Sequence, residues 1–406
     1  MSRRGVAPLL AGLVLVATGG CFGPTTVRQT RDRYNEAIRE TNNEELLLNL
    51  VRLRYNEHPS FLPITGLNAQ FALSAGAQYR GGPERGGIDN FGDGTLGYSD
   101  RPTLTFGPQR PPALTRALLT QVNLETMYLF TRQAGDTDRV LRLFVRRMNG
   151  IDNASSGGGP IPRDPPAFGE FRAISEAFGR LGARGIGVLT TENRSTDLPE
   201  TIPVEKVDAS DLVAIKKAGY GVRTVGLASG YQLTQSNPVR VLAIHPRAIA
   251  LPEILELDRM LGLEPYRSSY PMEEAPEGQF LRTPEDPPRE SITLTTRSIL
   301  EVMYLLSKTV EVPDEHCQNG VALSTRNPDG TPFDWNQVSG DLFHVCVSRH
   351  KPDHAFVAVS YRNYWYSIAD TDLSSKTTLN LFNELLRLQK IGAVEGQPLL
   401  SLPLGP

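Results

Sequence analysis

The sequence predicts an α+β protein: N-terminal helices with a long β-hairpin, a middle α/β block, and a C-terminal small antiparallel sheet with packed helices. Three observations predict it. Leu46, Leu47, Leu50 and Val51 recur at helical spacing. From Gly66 to Arg80, Leu67, Ala69, Phe71, Leu73, Ala75, Ala77 and Tyr79 take one parity, while Asn68, Gln70, Ser74, Gln78 and Arg80 take the other, which is the period of a strand. Near the C-terminus, Leu342–Ser348, Ala355–Tyr361 and Tyr364–Ile368 read as three strands in close order, the last two joined only by Arg362-Asn363, short enough for a tight hairpin.

Bulk composition narrows the class. The chain has 406 residues, 39% hydrophobic and 21% charged, as in an ordinary globular protein of two or three domains. The 37 Gly and 31 Pro call for many turns. A formal net charge of −3 lacks the basic surplus of a nucleic-acid binder, so nucleic acid is not an expected partner.

Residues 1–20 read as a signal peptide. Arg3 and Arg4 begin it, Gly5–Val16 is largely apolar, and Ala17-Thr18-Gly19-Gly20 leads into Cys21. A transmembrane span needs about 20 apolar residues, more than this run offers, and Pro8 interrupts it. Cleavage before Cys21 would leave its thiol for a lipid, giving a membrane partner through the N-terminus. Several acyl chains hold firmly where one holds reversibly.

Residues 21–60 form the expected lipid-anchored helical arm, in two parts. Val27, Tyr34 and Ile38 share a face of the first; Thr41-Asn42-Asn43 interrupts it; Asn42 with Glu45 gives a capping-box signal for the leucine-faced second. Residues 61–150 hold the hairpin and short helices. Leu96, Tyr98, Leu104 and Phe106 keep one parity in a returning strand, beyond a tip rich in glycine. Leu114–Thr120, Leu124–Gln133 and Thr137–Met148 read as helices, the last with a solvated stripe of Arg139, Arg142, Arg146 and Arg147.

Residues 151–166 read as a Gly/Pro linker. The block 167–262 alternates: helix near Phe168–Leu181, strand near Gly185–Thr191, helix near Ser210–Ala218, strands near Tyr231–Thr234 and Val239–Ile244, helix at Glu253–Leu261. Residues 263–290, rich in proline and acidic side chains, read as a second linker. The last domain, 291–406, opens with a strand at Ser291–Leu294 and a helix at Thr296–Lys308, and closes with a helix at Ser374–Ile391 and a strand at Leu399–Leu402.

Chemistry-bearing residues are few. With Cys21 lipidated, Cys317 and Cys346 remain, and two cysteines in an exported chain are most simply one disulfide, worth about 3–4 kcal/mol on a chain-entropy account. The alternative is a zinc site of His316, Cys317, His344 and Cys346, weakened because adjacent side chains diverge. Tyr364, Trp365, Asp370, Asp372 and Lys376 form a candidate binding surface, although Asp372 or Ser374 equally suits a helix cap. No G-x-S-x-G, H-E-x-x-H, Walker or dinucleotide motif is present, so no catalytic residue, cofactor or metal is assigned.

Three separated segments, NEELLLNLVRLRY (Asn43–Tyr55), SDRPTLTF (Ser99–Phe106) and YRNYWYSIADTDLSSK (Tyr361–Lys376), resemble a group of bacterial envelope lipoproteins with no assigned activity. The resemblance implies an address and an architecture, and no catalytic residues. Ala369 departs from it, standing where the group's pattern has Asp, and Thr18 departs from the usual Leu or Val three residues before a lipidated cysteine. Phe22 after Cys21 favours the outer membrane, facing the periplasm. The expected function is a non-catalytic scaffold binding envelope proteins. An alternative is a homo-oligomeric pore built from the hairpins, since a membrane strand needs only about 9–11 residues. A third is a periplasmic enzyme.

Overall fold

The computed structural model describes residues 22–61, 64–80, 91–106, 111–225, 230–275, 287–391 and 400–403. The expected signal peptide, Cys21 and the hairpin tip lie outside them. The chain is α+β and clusters into two compact units: Met1–His58 with Leu119–Glu384, and Pro59–Leu118 with Leu385–Pro406.

The smaller unit is built on β1 (Ile64–Arg80) and β2 (Phe91–Phe106), and β13 (Leu400–Pro403) pairs with β2; every pairing is antiparallel. The register sets Leu67, Leu73 and Ala75 opposite Leu104, Tyr98 and Leu96, so the apolar parities read in the two segments coincide.

The larger unit begins with α1 (Phe22–Arg54), followed after the hairpin by α2 (Pro111–Leu119), whose last residue belongs to this unit. α1 is one helix, not two. Thr41 Oγ1 donates to Ala37 O at 2.7 Å and Asn43 Oδ1 accepts from Asn383 at 2.7 Å, so these two polar side chains are satisfied without a break in the helix. Residues 32–42 are mostly exposed, whereas Leu46, Leu47, Leu50, Val51 and Leu53 are buried, packed toward α8 (Ile299–Ser307) and the C-terminal sheet. The intervening elements are α3 (Leu124–Ala134), α4 (Thr137–Phe144), β3 (Val145–Met148), β4 (Ile151–Asp152), α5 (Gly169–Ala183), β5 (Gly187–Ile202), α6 (Ala209–Lys217), β6 (Tyr220–Val225), β7 (Gly230–Ile244), α7 (Pro252–Leu261), β8 (Ser269–Glu274) and β9 (Ile292–Thr296).

One sheet of order β4-β3-β9-β8-β7-β5, with β6 also on β7, gathers strands from segments expected to be separate domains, so the boundaries at 150 and 290 fall inside it. Only β8–β9 is parallel. The middle block carries helices α5, α6 and α7 among strands that pair antiparallel, and β7 is a single strand where two short ones were expected. Pro238 sits where β7 has neither β6 nor β8 beside it, so a missing N–H is tolerated.

The expected linker 151–166 contributes to the core. Ala154 is buried with Leu305, Trp335 and Val338, and a Cβ on Gly157 would come within 3.0 Å of the Trp335 ring. The arginine stripe is not a solvated helix face, because the helix ends at Phe144 and Arg146 and Arg147 fall in β3. Arg142 is buried and grips Asp341 through two bonds of 2.7 Å, while Arg139 reaches Thr378 and Ser374 O. Burial opposes ionisation of Asp341, yet Arg142 holds its carboxyl below the ordinary range. Beneath them lies Arg297, fully buried, donating to Arg142 O, Leu143 O, Val145 O and Asn153 O.

Candidate functional site

The C-terminal part of this unit continues through α9 (Asp314–Gln318) and α10 (Asn336–Ser339) to β10 (Cys346–Ser348), β11 (Ala355–Tyr361), β12 (Tyr364–Ala369) and α11 (Leu373–Ile391). The strands form an antiparallel sheet of order β10-β12-β11. Arg362 and Asn363 both take positive φ, 49° and 66°, closing the expected two-residue hairpin.

Pairing puts Tyr361 and Tyr364, Val359 and Tyr366, and Val357 and Ile368 directly opposite one another on one face. The end of α1 docks there. The Tyr55 hydroxyl lies 2.7 Å from His316 Nδ1 and 2.6 Å from the Tyr366 hydroxyl. Tyr361 donates to Glu57 Oε1 at 2.5 Å, joined by Arg362 at 2.9 Å, and Tyr364 donates to Glu315 Oε1 at 2.5 Å. Burial pushes the Tyr55 and Tyr366 phenols up, and the hydrogen bond from Tyr361 holds Glu57 below the usual carboxylate range. The phenols therefore stay protonated at neutral pH and tie α1 to the sheet.

The five residues of the expected binding surface are divided by the fold. Tyr364 is buried on the face just described. Trp365 has the opposite parity, half-buried, with the Lys351 ammonium 5.3 Å from its ring. Asp372 caps α11, accepting from Ser375 N at 3.0 Å and from Ser375 Oγ at 2.5 Å. Asp370 is exposed and bonded at 2.7 Å to Lys376, which lowers its pKa; the same ammonium lies 4.9 Å from the Phe356 ring. Trp365, Asp370 and Lys376 remain as the part accessible to a partner.

Cys317 and Cys346 are both free, exposed thiols, so the expected disulfide is not formed. They belong to different surroundings. Cys317, on α9, lies in the electrostatic reach of Arg54 and Tyr55, whereas Cys346 sits by Glu311 and Asp372. Burial, then those two carboxylates, push the Cys346 thiol up. The zinc grouping with His316 and Cys317 is divided in the same way, since His316 Nδ1 is engaged by Tyr55.

His344 and Cys346 do come together, with Sγ 3.6 Å from Nδ1, and Glu311 completes the group with Oε1 3.2 Å from His344 Nε2. These are the described residues whose donor atoms cluster as metal ligands would. Glu311 carried no sequence signal: it follows the apolar end of α8, and its approach depends on a parallel bridge between Val310 and Val345. Tyr55, Glu57 and Glu315 were missed for the same reason, being distant in sequence from the sheet they meet. No family model, curated protein or solved structure matches this chain.

Proposed function

We propose that this chain is a lipid-anchored envelope lipoprotein of the outer membrane, facing the periplasm, and that it acts as a non-catalytic interaction module for envelope proteins. The observation that supports this best is α1. The helix begins at Phe22, directly after the cysteine expected to carry lipid, and runs unbroken to Arg54. At 1.5 Å per residue it is about 50 Å long. Its exposed stretch of residues 32–42 leads into a buried stretch from Asn43 that is locked to the sheet by Tyr55. A lipid at Cys21 would thus hold the body at a set distance through a stiff strut. Trp365, Asp370 and Lys376 are the surface offered to a partner.

Replacing Cys21 by Ser tests the anchor. The variant is expected to leave the membrane fraction and to incorporate no labelled palmitate, and its persistence in the membrane would overturn the reading. A photo-crosslinking residue at Trp365 is expected to capture an envelope protein in intact cells, and capture should weaken on Lys376→Glu.

The β1–β2 pair supports a second reading, the oligomeric pore. Gly66 to Arg80 is paired without interruption, longer than the roughly 9–11 residues of a membrane strand. That reading predicts a membrane-bound Cys21→Ser variant running as a ring on solution-mass analysis in detergent.

A further inference from the structure

Glu311, His344 and Cys346 are brought to one point by backbone that the fold fixes. Val310 and Val345 form a parallel bridge, Glu311 N donates to Val345 O at 3.0 Å, and Val345 N donates to Thr309 O at 3.3 Å. The Glu311 carboxylate is then oriented from one side: Val347 N donates to Oε2 at 2.9 Å, which turns Oε1 toward His344. From the other side, His344 N donates to Ser375 Oγ at 2.9 Å, and Ser375 Oγ donates to Asp372 Oδ2. A carboxylate oxygen, an imidazole nitrogen and a thiol sulfur end within 4.8 Å of one another.

We propose that Glu311, His344 and Cys346 form a zinc site. Bonds of about 2.0–2.3 Å to one zinc ion place donors roughly 3–4.5 Å apart, and the donor atoms here lie within 4.8 Å of one another; because Sγ faces Nδ1 and Oε1 faces Nε2, the imidazole must rotate to present one nitrogen to both. The donor set selects the metal class. Thiolate with imidazole suits zinc, and calcium or magnesium would ask for oxygen alone. The Val347 amide orients the Glu311 carboxylate as outer partners do around bound metals, and the Ser375–Asp372 pair fixes the backbone at His344. Three protein donors leave the fourth tetrahedral position to water, the open arrangement of reactive zinc rather than the closed one of structural zinc. This inference goes beyond the interaction reading and does not rest on it, because it concerns the purified chain alone.

The test uses the full chain, reduced and stripped of metal, titrated with zinc against a chromophoric chelator and separately with cobalt as a spectroscopic stand-in. The expected result is one zinc per chain and a cobalt spectrum with a thiolate-to-metal charge-transfer band and tetrahedral d–d absorption. Cys346→Ser should abolish that band and weaken zinc about 100-fold or more, and His344→Ala and Glu311→Gln should each weaken it by at least about 10-fold. Cys317→Ser, removing the other exposed thiol, should change neither readout. Circular dichroism identifies any variant that has lost its fold, and Glu311→Gln, which keeps the bond from Val347, guards against that outcome. No zinc binding at micromolar concentration, zinc retained at full affinity in Cys346→Ser, or a band lost with Cys317 instead would overturn the proposal.

Discussion

Two stretches of the β5–β7 ribbon, its base and its middle, share one antiparallel pairing but are held by different forces. At the base, Val241, Leu242 and Ile244 are buried, β8 flanks β7, and the same sheet runs on through β9 to Arg297. In the middle, Ser195 faces Ser236, Arg194 faces Asn237, and Gln235 to Pro238 are all exposed. There the ribbon has backbone hydrogen bonds, β6 and surface ion pairs such as Arg223–Asp197, but little apolar burial. Strand geometry alone thus says little about stability. What a residue removes from water decides it.

The comparison can be broken in four places, from the strongest effect down. Arg297→Met should cost about 3–5 kcal/mol in urea unfolding, because Arg142 O, Leu143 O, Val145 O and Asn153 O lose their shared buried donor. Leu242→Ala, at the ribbon's base, should cost about 2–4 kcal/mol by the same measurement.

Asp258→Asn should act in the opposite direction. Its carboxyl is buried on α7 and pushed up to about 6 by desolvation, against about 3.9 in the unfolded chain. The folded state therefore holds an extra proton between those values, and stability falls as pH rises through that window. The Asn variant should be about 1 kcal/mol more stable at neutral pH, after allowance for solvent screening, and should lack that slope in thermal melts. Smallest of all, Ser236→Ala in the ribbon's exposed middle should stay within about 0.5 kcal/mol. Amide exchange sharpens the contrast: amides near Ser195 and Ser236 should exchange at least about tenfold faster than those near Val188 and Ala243. Equal protection in both stretches would mean the middle pairing is supported by something besides its own backbone.

What was legible in the sequence followed burial as well. The β1–β2 hairpin announced itself because alternate residues from Leu67 to Tyr79 are apolar. The middle of the β5–β7 ribbon has no such period: Thr191-Glu192-Asn193-Arg194-Ser195-Thr196 is polar throughout, so nothing marked it as strand. Arg139 and Arg142 read as a solvated stripe because their partners, Asp341 and Thr378, lie some two hundred residues away. The candidate site was half legible. His344 and Cys346 share a parity that sequence reveals, whereas Glu311 meets them only through the Val310–Val345 bridge, and the cap at Asp372 was one of two readings that local pattern allowed.

The pairing of β3 with β9 carries a consequence for how the chain must be made. Residues 145–148 pair locally with the two residues of β4, but their other strand partner comes only at 294–296, and the leucine face near residue 50 is covered by a helix beginning at Ile299. Closing loops of that length is slow, and the early segments keep their apolar faces uncovered until the last quarter of the chain has emerged. The core of this unit therefore closes late, only once residues beyond 294 are available. A chain stopped before Ile299 should behave as an aggregating fragment rather than as a smaller folded protein.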